Sequence, residues 1–77
     1  MGSKPVLQHC AAFGDSVRRA RHALDMTQER LAELAGLHRT HIQLIETGKR
    51  EPRLGTILRL NEALGVNLIN GVKAPPL

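Results

Sequence analysis

Four side chains in the stretch Gly36–Glu46, "GLHRTHIQLIE", have the chemistry to read another surface: Arg39, Thr40, Gln43 and Leu44. An arginine fork matches two acceptors on guanine and a glutamine amide pairs similarly with adenine. Threonine adapts to either role, and an exposed leucine fits a thymine methyl. The same stretch holds Ile42 and Ile45, three apart. On a helix, residues three and four apart share a face, so with the isoleucines turned inward, residues 39, 40, 43 and 44 fall on the opposite side. Such a face is also what an ordinary solvated helix carries. Composition alone leaves water, a metal ion and another macromolecule open as what it meets.

The other constellations able to do chemistry are weaker. His38 and His41 lie one turn apart and in principle share a metal, but no third ligand stands at metal spacing. A nucleic-acid reading accounts for both as phosphate or surface residues, so neither a metal nor a cofactor is expected. Cys10 is the single cysteine, which excludes an internal disulfide; no sequence partner makes it a nucleophile, and a half-buried thiol is expected. The acidic residues form no acid/base pair, and Gly36 and Gly48 read as helix stops rather than a phosphate cradle. No enzyme is expected.

A chain of 77 residues suits one domain near the lower size limit for an unstapled core. Phe13 is the only aromatic among 42% hydrophobic residues, so Leu, Ala, Ile and Val must build that core, a palette suited to short helices. The formal charge of +4 and pI ≈ 10.2 favour a polyanion or an acidic membrane, although +4 also suits plain solubility. No apolar run approaches membrane-spanning length, and Val6 occupies the position where a myristoylation signal needs Ser or Thr. A cytoplasmic protein with no membrane partner is expected.

The elements that must position the strip follow from periodicity and caps. His9–Leu24 carries an apolar stripe at Phe13, Val17, Ala20 and Leu24, and the propensity cost of Gly14 predicts a late helix start. Thr27 is a good N-cap with Glu29 in the favourable first turn, although Arg30 leaves the capping box incomplete. Leu31, Leu34 and Ala35 give the second helix its buried face and Gly36 stops it. A third helix, His38–Glu46, has Leu37 packing from the turn, and Gly48 ends it. The loop "KREPR" follows, then a fourth helix, Leu54–Leu64, with Leu54, Ile57, Leu58, Leu60 and Leu64, closed by Gly65. Val66 to Ile69 reads as a short extended segment, and Asn70-Gly71 and Pro75-Pro76 as a turn and a loose end. The expected organisation is a flexible segment at 1–8, a domain at 9–69 and a loose tail at 70–77. The fold class is all-α, with four to five short helices and a short C-terminal extended segment as an option.

A short capped helix, a glycine-containing turn and a second short helix form a helix-turn-helix, whose second helix enters the major groove of DNA. Arg18 and Arg19 precede it, and Lys49, Arg50 and Arg53 follow it, placed to neutralise phosphates while the strip reads bases.

Thr27-Gln28, Leu31-Ala32, Ala35-Gly36, Ile42, Ile45-Glu46, Gly48-Lys49, Pro52 and Ala63-Leu64-Gly65-Val66 together resemble the Xre family of lambda-repressor-like DNA-binding domains, over about Phe13 to Leu68. The resemblance implies that Gln28 binds a phosphate and braces the recognition helix, that Arg39, Thr40 and Gln43 occupy base-reading positions, and that Thr47 and Lys49 meet the DNA backbone. It also implies that Arg21 and Glu46 form a structural ion pair between the first and third helices. The full expected sets are Arg39, Thr40, Gln43 and Leu44 for bases, and Thr27, Gln28, His38, Thr47, Lys49, Arg50 and Arg53 for phosphates. Two positions depart from the family. His38 stands where the recognition helix usually begins with Ser, Thr or Asp, which either weakens the fixing of that helix or adds a pH-sensitive phosphate contact. Arg53 stands where the fourth helix usually has a Ser or Thr cap.

The ending "LGTILRLNEALGVNLINGV" resembles the HipB-like antitoxin branch, in which a C-terminal strand pairs across a dimer. Two functions are therefore open. One is a transcriptional regulator, most often a repressor, bound as a homodimer to a pseudo-palindromic operator in double-stranded DNA. The other is an antitoxin that neutralises a partner toxin and autoregulates its operon. The resemblance places either in bacteria or phage, at the nucleoid.

Overall fold

Four helices and no strand are found among the residues that the computed structural model describes, 3–68: α1 (Ser3–Ala23), α2 (Gln28–Ala35), α3 (Arg39–Glu46) and α4 (Leu54–Leu64). The first differs most from expectation. It begins at Ser3 rather than late, and it runs straight through Gly14. A Cβ built on Gly14 would lie 2.1 Å from the Ile45 carbonyl oxygen and 2.9 Å from that of Glu46. The helical cost of glycine, about 1 kcal/mol against alanine, is thus offset by a backbone-to-backbone approach between α1 and the end of α3. Gly48 serves the same seam. Its φ of +71° is one that L side chains rarely adopt, and a Cβ there would meet Ala11 Cα at 2.9 Å.

The two short helices are defined by their ends. Thr27 Oγ1 accepts a 3.0 Å bond from the Arg30 N–H, which starts α2. Gly36 stops it in the left-handed region at φ 68°, and the Leu37 N–H reaches back to the Ala32 carbonyl at 2.8 Å. His38 caps α3: its Nδ1 accepts from the Thr40 N–H at 3.2 Å. The departure at this position therefore does not leave the recognition helix unfixed, because an unprotonated ring nitrogen replaces the missing hydroxyl. At the other end the Thr47 hydroxyl donates to the Gln43 carbonyl at 2.8 Å. Unlike α2 and α3, α4 begins without a side-chain cap, at Arg53.

The core joins Phe13 and Val17 of α1, Leu31, Ala32 and Ala35 of α2, Ile42 and Ile45 of α3, and Leu60 and Leu64 of α4, with Leu68 beneath. Val17, Leu31, Ile42, Ile45 and Leu60 are fully buried, each burial being worth roughly 1.5–3 kcal/mol. Cys10 is a buried free thiol rather than a half-buried one. Leu24, Leu34, Leu54 and Leu58, all expected inside, are exposed. A helix buries a narrow stripe, and apolar residues beside it, or just past its end as with Leu24, stay in water.

The extended reading of Val66 to Leu68 is not what forms. The chain turns after α4, the Leu68 side chain is buried in the core, and its N–H donates to Asn61 Oδ1 at 2.8 Å. A strand there would find no sheet edge among the described residues, whereas the turn buries Leu68 and satisfies its amide. Ile69 and the expected tail 70–77 lie outside the described residues.

Candidate nucleic-acid interface

α3 presents two unlike sides. The inner one carries Ile42, Ile45 and Glu46, all buried. The outer one carries Arg39, Thr40 and Gln43, all exposed, with Leu44 half-buried at its edge rather than fully exposed.

The inner side is fixed by a polar clamp as well as by packing. Arg21 of α1 meets Glu46 with both ends of its fork, Nε to Oε2 at 2.7 Å and Nη2 to Oε1 at 3.0 Å. Its remaining Nη1 donates to the Met26 carbonyl at 2.8 Å. Gln28 Nε2 of α2 adds a 3.1 Å bond to Glu46 Oε1. Both charged residues are about nine-tenths buried, and the carboxylate has a donor on each oxygen, so the charges are matched where water is excluded. Three helices thereby hold one carboxylate, and that carboxylate sets the rotation of α3.

The expected phosphate-contacting residues lie at the starts of α2, α3 and α4 and in the loop between the last two. Thr27, Gln28 and His38 sit at the N-terminal ends of α2 and α3, where Thr27 and His38 also serve as caps and Gln28 joins the clamp. Thr47, Lys49, Arg50 and Arg53 are exposed in and beside the loop after α3, although the Thr47 hydroxyl is held by the Gln43 carbonyl. Arg18 and Arg19 are exposed on α1, and both pair with Asp15, Arg19 Nε at 2.8 Å. The hydrogen bond from Arg18 is the largest influence on the Asp15 carboxyl; burial opposes it, and the charges of Arg19 and Arg18 add to it, so that the carboxyl lies below its ordinary value.

Three placements go beyond sequence reasoning, those of Glu29, Asp15 and His41. Glu29 Oε2, read there only as a favourable first-turn acid, lies 3.5 Å from Arg39 Nε. Asp15 occupies the two α1 arginines. His41, one turn on from His38, is half-buried in a pocket of about 210 Å³ shared with Arg50, Glu51, Arg53 and Thr56. Its imidazole is held below the usual 6.5, first by burial and then by the Arg50 charge. The opposite signs of Glu29 and Arg39 were visible in the sequence, but their meeting depends on the angle between α2 and α3.

An exposed strip of Arg39, Thr40 and Gln43 on a rotationally fixed helix, followed by a loop of exposed cations, suits a double helix. The family model described as "Helix-turn-helix" matches residues 17–74. Among known proteins, the chain is 39% identical over 56 residues to the control protein C.SmaI of Serratia marcescens, covering 73% of this chain and 67% of that one. It is 46% identical over 55 residues to the control protein C.BamHI of Bacillus amyloliquefaciens, covering 70% and 68%. Among solved structures, the restriction-modification controller protein C.AhdI from Aeromonas hydrophila superposes with a TM-score of 0.76 at 36% identity, over 79% of this chain and 92% of that one. The chain belongs to the Xre-type helix-turn-helix family of DNA-binding transcriptional regulators.

Proposed function

We propose that the protein acts in the cytoplasm as a sequence-specific regulator of the restriction-modification controller type. In this reading it binds a pseudo-palindromic operator as a homodimer and represses the promoter there. The observation that carries the reading is the contrast on α3: a rotation locked by Ile42, Ile45 and the Glu46 clamp, and an outer strip of Arg39, Thr40 and Gln43 left exposed. Arg39, Thr40, Gln43 and Leu44 read base edges. Thr27, Gln28, His38, Thr47, Lys49, Arg50 and Arg53 hold the backbone. The controller names of the relatives favour this reading over that of an antitoxin with a toxin partner.

The dimer follows from discrimination. One short recognition helix touches a few base pairs, a wrong pair costs about 1–3 kcal/mol, and a genome offers on the order of a million or more competing sites. Two copies about one helical turn (~34 Å) apart roughly double the discrimination. Sedimentation equilibrium with and without the DNA upstream of the protein's own gene tests this. A dimer on the duplex is expected, together with reduced output from a reporter driven by that DNA. Monomer alone in both samples, or a rise in reporter output, would overturn the dimer or the repression respectively.

A further inference from the structure

The outer strip of α3 is bounded differently on its two long sides. Toward α2, Arg39 meets Glu29 at 3.5 Å. Toward the loop and the start of α4, His41 shares a pocket with Arg50, Glu51, Arg53 and Thr56. A helix about 10–12 Å across fills a major groove about 12 Å wide, so a duplex that admits α3 brings one phosphate rail along each side. On the second side the rail passes this concave, net-cationic pocket, with two guanidinium groups against one carboxylate.

We propose that the pocket of His41, Arg50, Arg53 and Thr56 seats one backbone phosphodiester of the duplex, and that His41 contacts it as the imidazolium, so that DNA binding takes up a proton. The inference rests on the duplex-binding reading above and adds to it a contact and a linkage. In the free protein burial, and then the Arg50 charge, disfavour the protonated ring. The phosphodiester is an anion over the whole range. Once seated it offsets the Arg50 charge and offers an acceptor to the ring N–H, and both effects favour the protonated ring. One proton moves from solvent to His41, and the phosphodiester itself is unchanged. The charged groups facing the ring are Arg50, Glu51 and Arg53. On its own helix, His38 stands one turn back with its Nδ1 engaged by the Thr40 N–H.

The sign follows. A binding event that raises the His41 value tightens as pH falls through the bound-state value, and it levels off below the free-state value. The slope is at most tenfold per pH unit, and the total gain is about tenfold for each unit by which the value rises. Glu51 opposes the seat, so Glu51→Gln should tighten binding at every pH.

Anisotropy titrations of random-sequence duplex DNA, at constant ionic strength between about pH 5.5 and 8, test the proposal with the full chain, His41→Asn and His38→Asn. The wild-type protein and His38→Asn should bind tighter as pH falls. His41→Asn should bind at pH 8 and show no such slope. A slope that survives in His41→Asn overturns the proposal and leaves duplex binding standing. If the wild-type protein binds no duplex at any pH, the functional reading fails and takes the proposal with it. Should His41→Asn melt early, the NMR titration midpoint of His41 in the wild-type protein, with and without duplex, decides: a rise supports the seat and an unchanged midpoint overturns it.

Discussion

The inner and outer sides of α3 are made by the same eight residues and obey opposite rules. Inside, Ile42 and Ile45 are fully buried and Glu46 has three donors from two other helices. Outside, Arg39, Thr40 and Gln43 are exposed, and only Arg39 has a side-chain partner close by, at 3.5 Å. The difference shows how so small a domain fixes a helix on one side and leaves polar side chains exposed on the other, an arrangement that lets a helix meet a partner without first being ordered. Substitutions should therefore divide cleanly. Inner changes should lower stability and outer ones should lower binding.

The largest effect is expected from Glu46→Ala. It strands the Arg21 guanidinium in a water-poor site and should cost about 3–5 kcal/mol of stability, a fall in Tm of roughly 15 °C or more for a domain this size. A wild-type melting curve would break the comparison at its strongest point. Gly14→Ala comes next. Its methyl would overlap the Ile45 carbonyl, and wedging α1 from α3 should cost about 1–3 kcal/mol, measured by denaturant unfolding. A stabilised variant, as the removal of a glycine from a free helix would give, would refute the close approach. Arg39→Ala should leave Tm unchanged, cost about 1–3 kcal/mol on the preferred duplex and relax choice at one base pair per half-site. Arg50→Ala should weaken preferred and random duplexes alike and reduce the slope of log affinity against log salt by about one. The smallest effect crosses the divide. His38→Asp improves the α3 cap and its dipole match, raising stability by about 0.5–1 kcal/mol. It should also weaken duplex binding through the added negative charge, and tighter binding would contradict the placement of residue 38 beside a phosphate.

Much of this was legible in the chain. Thr27, Gly36, Gly48 and Gly65 punctuate the sequence, and α2 and α4 follow from such signals together with periodicity. The assignment of Ile42 and Ile45 inward followed from spacing alone. The Arg21–Glu46 pairing did not: residues 25 apart on different helices meet only through packing, and the resemblance rather than any local pattern brought them together. Propensity misjudges Gly14 because it weighs a glycine by the helix that contains it, whereas its worth lies in the helix it touches. The exposed Leu54 and Leu58 were counted as core since a short, leucine-rich helix shows apolar residues on more than one face and periodicity cannot say which face is covered. Val66 to Leu68 reads as extended by composition, yet the bond from the Leu68 N–H to Asn61 Oδ1 and the burial of Leu68 turn it back.

The central claim is that the exposed strip of α3 selects sequence, and selection of bound duplexes from random DNA tests it most directly. The wild-type protein should enrich a two-fold-related motif, and Arg39→Ala should enrich the same motif with one position per half-site degenerate. No enriched motif, or an identical motif from both proteins, would contradict the account.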